Sequence, residues 1–181
     1  EAGKRYVAFV DPSGGSVDSF SCAVAHEERD RAVLDCIHER RPPFSPADVV
    51  REFAAILKQY RVTEVTGDRY GGEFPRELFA KHGVRYRPSE LTRSELYVEL
   101  LPLLTSGRVD LLDVPRLVNQ LSSLERRTSR AGRDSVDHPP GAHDDLANSA
   151  AGALVLVGVG IGKNAPTAAP FSLTGSSSWR I

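Results

Sequence analysis

The stretch PADVVREFAAILKQYRVTEVTGD, residues 46–68, decides the fold. Val49, Phe53, Ile56, Leu57 and Tyr60 recur at helical spacing, which puts them on one stripe of a helix over 46–60. Ser45 stands at the cap position and Pro46 at the first helical position, where a missing N–H is no loss. The continuation VTEVTGD (62–68) is short and β-branched, and reads as a strand. A strand reached through a helical crossover lies parallel to an earlier strand of its sheet.

Earlier strands are easy to find upstream. KRYVAFVD (4–11) alternates, with Val7, Phe9 and Asp11 on one face, and breaks at PSGGSVD before FSCAVAHE resumes the pattern as a hairpin. RAVLDCIHER (31–40) reads as a third strand. Three meandering strands followed by a crossover predict an α/β fold: a mixed central sheet, three antiparallel strands and then parallel ones, with helices on both faces.

Downstream, RYGGEFPRELFAKHG predicts a Gly-rich turn and a helix closed by Gly83, and VRYRP a short strand. SELTRSELYVELLPLLTSG predicts a helix capped by Ser89 or Thr92 and ended by Gly107. RVDLLD (108–113) is expected as a strand, VPRLVNQLSSL as a helix and ERRTSRAGRDSVDHPPG (125–141) as a basic hairpin or loop. GAHDDLANSAAGAL (141–154) opens a closing helix. One domain is expected over 1–162, with a Gly/Pro/Ser-rich tail or linker over 163–181.

The chain has 181 residues, 40% hydrophobic and 26% charged, which suits one domain with a sizeable core. A net charge of −1 supplies no global attraction for nucleic acid, so local clusters such as Arg126, Arg127, Arg130 and Arg133 matter more. Cys22 and Cys36 show no CxxC spacing and follow no secretory signal, so reduced thiols in a cytoplasmic compartment are expected. The longest apolar run, near 150–161, is shorter than the ~20 residues of a membrane span, so no membrane association is expected. With no Met and a start at Glu1, the chain reads as an excised domain or processed piece of something longer.

Asp11 and Asp68 each end a predicted strand, and the crossover sets such ends side by side at one edge of a sheet. The pair Asp144–Asp145 can join them there. Along a helix, Asp145, Ser149, Gly152 and Leu156 share a face whose small residues permit close approach to the sheet, whereas Asp144 shares one with Asn148 and Ala151. Carboxylates gathered in this way repel unless a cation lies between them. Hard oxygen ligands suit Mg²⁺ or Mn²⁺, and two such ions about 3.5–4 Å apart can activate water and stabilise the leaving oxygen of a phosphodiester. Asp145 is expected as the principal ligand, with Asp144 a second ligand or a helix cap. His143 has three open roles: capping, orienting a carboxylate or meeting a phosphate. Asp18 reads as a solvated hairpin residue with an auxiliary metal role left open. No His/Cys spacing suggests zinc.

DPSGG (11–15), GDRYGGEF (67–74), the RVDLLD strand, LERRTSRAGRD and above all DHPPGAHDDLANSAAGAL resemble the nuclease domain of tailed-phage and prophage terminase large subunits. The resemblance covers roughly residues 5–157. It implies an RNase H-like fold of the RuvC/integrase type and metal-dependent endonucleolytic cutting of double-stranded DNA during genome packaging. The family's acidic clusters fall on Asp11, Asp68 and the Asp144–Asp145 pair, implying two Mg²⁺ or Mn²⁺ ions there. The implied partners are DNA, the terminase ATPase domain, the small terminase subunit and the portal, in the cytoplasm of the bacterial host. The ATPase motor's GxxxxGK[ST] phosphate loop does not occur in this sequence. Arg126, Arg127, Arg130, Arg133 and Arg69 are the candidate contacts to the phosphate backbone, which position DNA without reading its sequence. A RuvC-like resolvase, a transposase-type nuclease, or a non-catalytic module docking the motor to DNA or the portal are the alternatives.

Overall fold

The computed structural model describes residues 3–69, 73–128 and 134–164. β1 (Tyr6–Asp11), β2 (Phe20–Glu28) and β3 (Arg31–Arg40) form the expected antiparallel meander, and α1 (Pro46–Gln59) crosses to β4 (Glu64–Gly67), which pairs parallel with β1. Then come α2 (Phe74–Lys81), β5 (Arg85–Pro88), α3 (Arg93–Thr105), β6 (Val109–Asp110) and α4 (Pro115–Ser123). A separate hairpin, β7 (Glu125–Thr128) with β8 (Asp134–Asp137), precedes α5 (Asp145–Asn164). The main sheet has six strands in the order β5-β4-β1-β2-β3-β6, with the meander antiparallel and β4, β5 and β6 joined to their neighbours in parallel.

Alternation along β1 divides the core. Ala8 and Val10 face α1 and α2, packing with Val24, Phe53, Leu57 and Phe79, while Phe9 faces the layer of α3, α4 and α5. A bulge in β3 leaves Asp35 unpaired between Leu34 and Cys36, and its carboxylate meets buried His26 Nδ1 at 2.6 Å. Both cysteines are free thiols. No helix among the described residues is long and apolar enough to cross a membrane.

α5 is buried on nearly every side because it lies against the sheet and beneath α3 and α4; Ala147, Ala150, Ala151, Ala153 and Leu154 are fully buried. Its approach to β1 depends on Gly152, where an added Cβ would stand 2.2 Å from the Phe9 ring. The expected small-residue face meets the sheet through Ser149 and Gly152, whereas Leu156 at its far end is exposed.

Two expectations change in detail, and one open choice is decided. The strand expected over 108–113 is reduced to β6, because Leu112 and Val114 turn inward to pack on the α5 side of the core. Ser45 does precede α1, but its backbone carbonyl receives the Asp48 and Val49 N–H groups and its side chain makes no capping bond. Of the two candidates for α3, Thr92 is the cap: its hydroxyl accepts the Glu95 N–H while the Glu95 carboxylate receives the Thr92 N–H, a reciprocal capping box.

Candidate metal centre

Asp11 is the last residue of β1 and Asp68 the first beyond β4. The Asp68 N–H donates to the Val10 carbonyl at 3.3 Å, so the two aspartates leave neighbouring parallel strands at the same end. Gly67 is required just before the second one, since a Cβ there would lie 2.5 Å from the Tyr86 hydroxyl. That hydroxyl crosses from β5 and donates to the Asp68 carbonyl at 2.8 Å.

Ser21 on β2 pairs opposite Asp11. Its buried hydroxyl donates to the Asp145 carbonyl at 2.6 Å and lies 2.9 Å from Ser149 Oγ, fastening the first turn of α5 over the end of β1. A second fastening comes from α4, where Gln120 Oε1 receives the Ala147 N–H at 3.0 Å. Gln120 thus caps an N–H of the first turn, the work the sequence offered to Asp144 or His143.

Asp144 is engaged elsewhere. Its Oδ1 receives Arg93 Nη1 at 3.1 Å and its Oδ2 receives the Tyr97 hydroxyl at 2.8 Å, both from α3. The other arm of the Arg93 fork, Nη2, reaches Asp137 Oδ1 at the end of β8 at 3.0 Å. Asp145 is also buried, but its Oδ2 has no hydrogen-bond partner among the described residues. The two adjacent acids therefore differ sharply: one is braced at both oxygens, and the other keeps an oxygen unmatched inside the protein.

The electrostatics follow from this crowding. Burial, and then the charges of Asp145, Asp68 and Asp144, push the Asp11 carboxyl up to about 8. Asn148 opposes that rise from nearby, although its two side-chain polar atoms are buried without a hydrogen bond of normal geometry. Asp145 is raised as well, first by burial and then by Asp18 and Asp144, with His143 opposing. Burial and then Asp144 hold the Tyr97 phenol far above its ordinary value, so it remains a donor. Burial works against the charge on Arg93, yet Asp144 and Asp137 outweigh it and strengthen that charge.

The remaining sequence candidates are less closely held. Asp18 and His143 are exposed, with His143 Nδ1 at 3.7 Å from Asp18 Oδ1, beside Asp145. Arg69 donates to the Glu90 carbonyl. Arg126 and Arg127 are exposed on β7, and Arg127 pairs with Glu125 at 2.8 Å. Arg130 and Arg133 lie outside the described residues. Arg93, Tyr97, Asp137 and Gln120 were not foreseen, because their partners lie far away in sequence; Arg93 and Asp144 are 51 positions apart.

Carboxylates that hold protons tightly, together with a buried carboxylate oxygen lacking a partner, form a donor set that suits a hard divalent cation. Among the described residues, the three acids or histidines whose ligand atoms all come within 4.8 Å of one another are instead Asp137, His138 and Asp144. There the Arg93 guanidinium already bridges Asp137 and Asp144.

No protein-family model and no curated protein matches the chain. Solved structures do. The large terminase nuclease of thermophilic phage G20c matches with a TM-score of 0.72 at 20% identity, over 84% of this chain and 82% of that one. The chain has the fold of the large terminase nuclease domains. The magnesium-bound form of the G20c nuclease superposes with a TM-score of 0.71 at 19% identity, over 85% of this chain and 82% of that one. The large terminase of bacteriophage HK97 matches with a TM-score of 0.65 at 17% identity, over 84% of this chain but 40% of that protein. The six-stranded mixed sheet is the arrangement expected from the crossover at 46–68, and the match in fold agrees with what the family resemblance implied.

Proposed function

We propose that this chain is the nuclease part of a phage large terminase, an endonuclease that cuts double-stranded DNA with Mg²⁺ or Mn²⁺. The observation that carries the reading is that Asp11, Asp68 and Asp145 stand at the ends of β1 and β4 and the head of α5, near enough for the charges of Asp145 and Asp68 to raise the Asp11 carboxyl, with the Asp145 Oδ2 unpartnered among the described residues. These three residues would hold the metal, two ions in the arrangement that phosphodiester hydrolysis favours. The bound ions supply charge neutralisation at the scissile phosphate and a more acidic water. Ser21 and Gln120 fix the α5 end of the site, and Asn148 faces Asp11 from within it. Arg126, Arg127, Arg130, Arg133 and Arg69 hold the duplex by its phosphates, while His143 and Asp18 form the solvent-side rim beside Asp145. In the cell the domain would work in the host cytoplasm beside an ATPase motor, a small terminase subunit and a portal. That the chain spans well under half of the HK97 protein is in keeping with a separate motor portion.

Nicking and linearisation of supercoiled plasmid with Mn²⁺, Mg²⁺ or EDTA tests this reading. Metal-dependent cutting of linear and supercoiled duplex is expected. A strong preference for branched DNA would favour a resolvase instead. No cutting and no metal-induced stabilisation would favour a docking module.

A further inference from the structure

The two adjacent aspartates at the head of α5 carry opposite fates, and the difference lies in α3. Asp144 is 4% exposed and both of its oxygens are taken, one by the Arg93 guanidinium and one by the Tyr97 hydroxyl. To reach a metal ion it would have to give up two charge-assisted bonds, one from a guanidinium and one from a buried phenol. Asp145, one residue on, has an oxygen with no such claim on it. Arg93 also carries the charge balance of this corner, since the same guanidinium meets Asp137.

We propose that Arg93 is a positioning residue: with Tyr97 it neutralises and braces Asp144, so that Asp144 orients the head of α5 and leaves metal ligation to its neighbour. This rests on the metal reading given above. Removing the guanidinium would leave a buried carboxylate without its counter-charge beside the metal-holding group. A divalent cation would then be the nearest replacement, and the site should hold metal more tightly while losing its geometry.

Calorimetric titration of the whole chain with Mn²⁺ at pH 8 separates the possibilities. Asp145→Asn is expected to abolish binding, whereas Asp144→Asn stays within about threefold of the parent. Arg93→Gln is expected to bind Mn²⁺ roughly tenfold more tightly, Arg93→Lys to stay near the parent, and the double variant Arg93→Gln with Asp144→Asn to return to it. If Arg93→Gln does not fold, as its circular dichroism would reveal, the double variant carries the test, because it removes both charges together. Loss of binding in Asp144→Asn as complete as in Asp145→Asn overturns the proposal, as does an unchanged or weaker affinity in Arg93→Gln. A double variant far from the parent overturns it too. A parent chain that binds no Mn²⁺ removes the metal reading and this inference with it, whereas a parent that binds while Arg93→Gln does not respond removes the inference alone.

Discussion

A carboxylic acid that holds its proton more tightly in the folded chain than in the unfolded one favours the fold at low pH. Asp11 is such a group, raised from an ordinary 3.8 to about 8, and Asp145 is shifted in the same direction. Between those two values the folded chain binds more protons than the unfolded one, so this contribution to stability falls as pH rises and is lost above the folded value. In EDTA, the melting temperature of Asp11→Asn should therefore gain on that of the parent between pH 5 and pH 9, and saturating Mn²⁺ should erase the difference in trend. Parallel melting curves at every pH would show that Asp11 titrates as an ordinary surface acid. Under the proposed function, Asp11→Asn and Asp145→Asn should each cut plasmid nicking at least about a hundredfold, since even the groups that merely support a metal ligand are worth 10–100-fold. The placement of these acids was legible because strand ends and helix starts are local features of a sequence. Arg93 and Tyr97 were not: they read as ordinary positions of a capped helix, and only packing brings them to Asp144.

At the scale of elements, the closing helix shows how sequence pattern becomes position. Its run of Ala, Ser and Gly was readable as a close-approach face, and Gly152 against Phe9 is the point of closest approach. Gly152→Ala should destabilise the chain in spite of alanine's better helix propensity, worth about 1 kcal/mol. The new methyl meets the root of a buried ring, which cannot move aside as a flexible tip would, and overpacking of this kind costs about 1–3 kcal/mol. Chemical denaturation reads the sign: a stabilised variant would mean that β1 and α5 are not in tight contact. The meander, the crossover and the parallel β4 were equally legible, because period-two and period-3.6 patterns alternate cleanly there. The shortness of β6 was not, since RVDLLD carries no sign that Leu112 and Val114 would be drawn inward. Gln120 as a cap for α5 was also hidden, as it is supplied by a different helix.

For the whole molecule, the net charge of −1 means that the DNA binding proposed above would have to come from local patches. If the β7–β8 hairpin holds the duplex, Arg126→Gln and Arg127→Gln should each lower the slope of log K against log salt by about 1, equally on unrelated sequences. A sequence-dependent loss would instead indicate base reading. Metal binding should also be visible globally. Mn²⁺ at about a hundred times its dissociation constant adds ~2.7 kcal/mol to a fold that alone binds it, or roughly 5–10 °C in melting temperature for a chain of this size. In this chain β1 and β4 end side by side, Ser21 opposite Asp11 holds the head of α5, and Arg93 links Asp144 to the hairpin through Asp137. The most direct measurement is the anomalous scattering of crystals soaked in Mn²⁺. Density among the Asp11, Asp68 and Asp145 carboxylates, with Arg93 still on Asp144, is the expected result; density seated on Asp137, His138 and Asp144, or none at all, would contradict it.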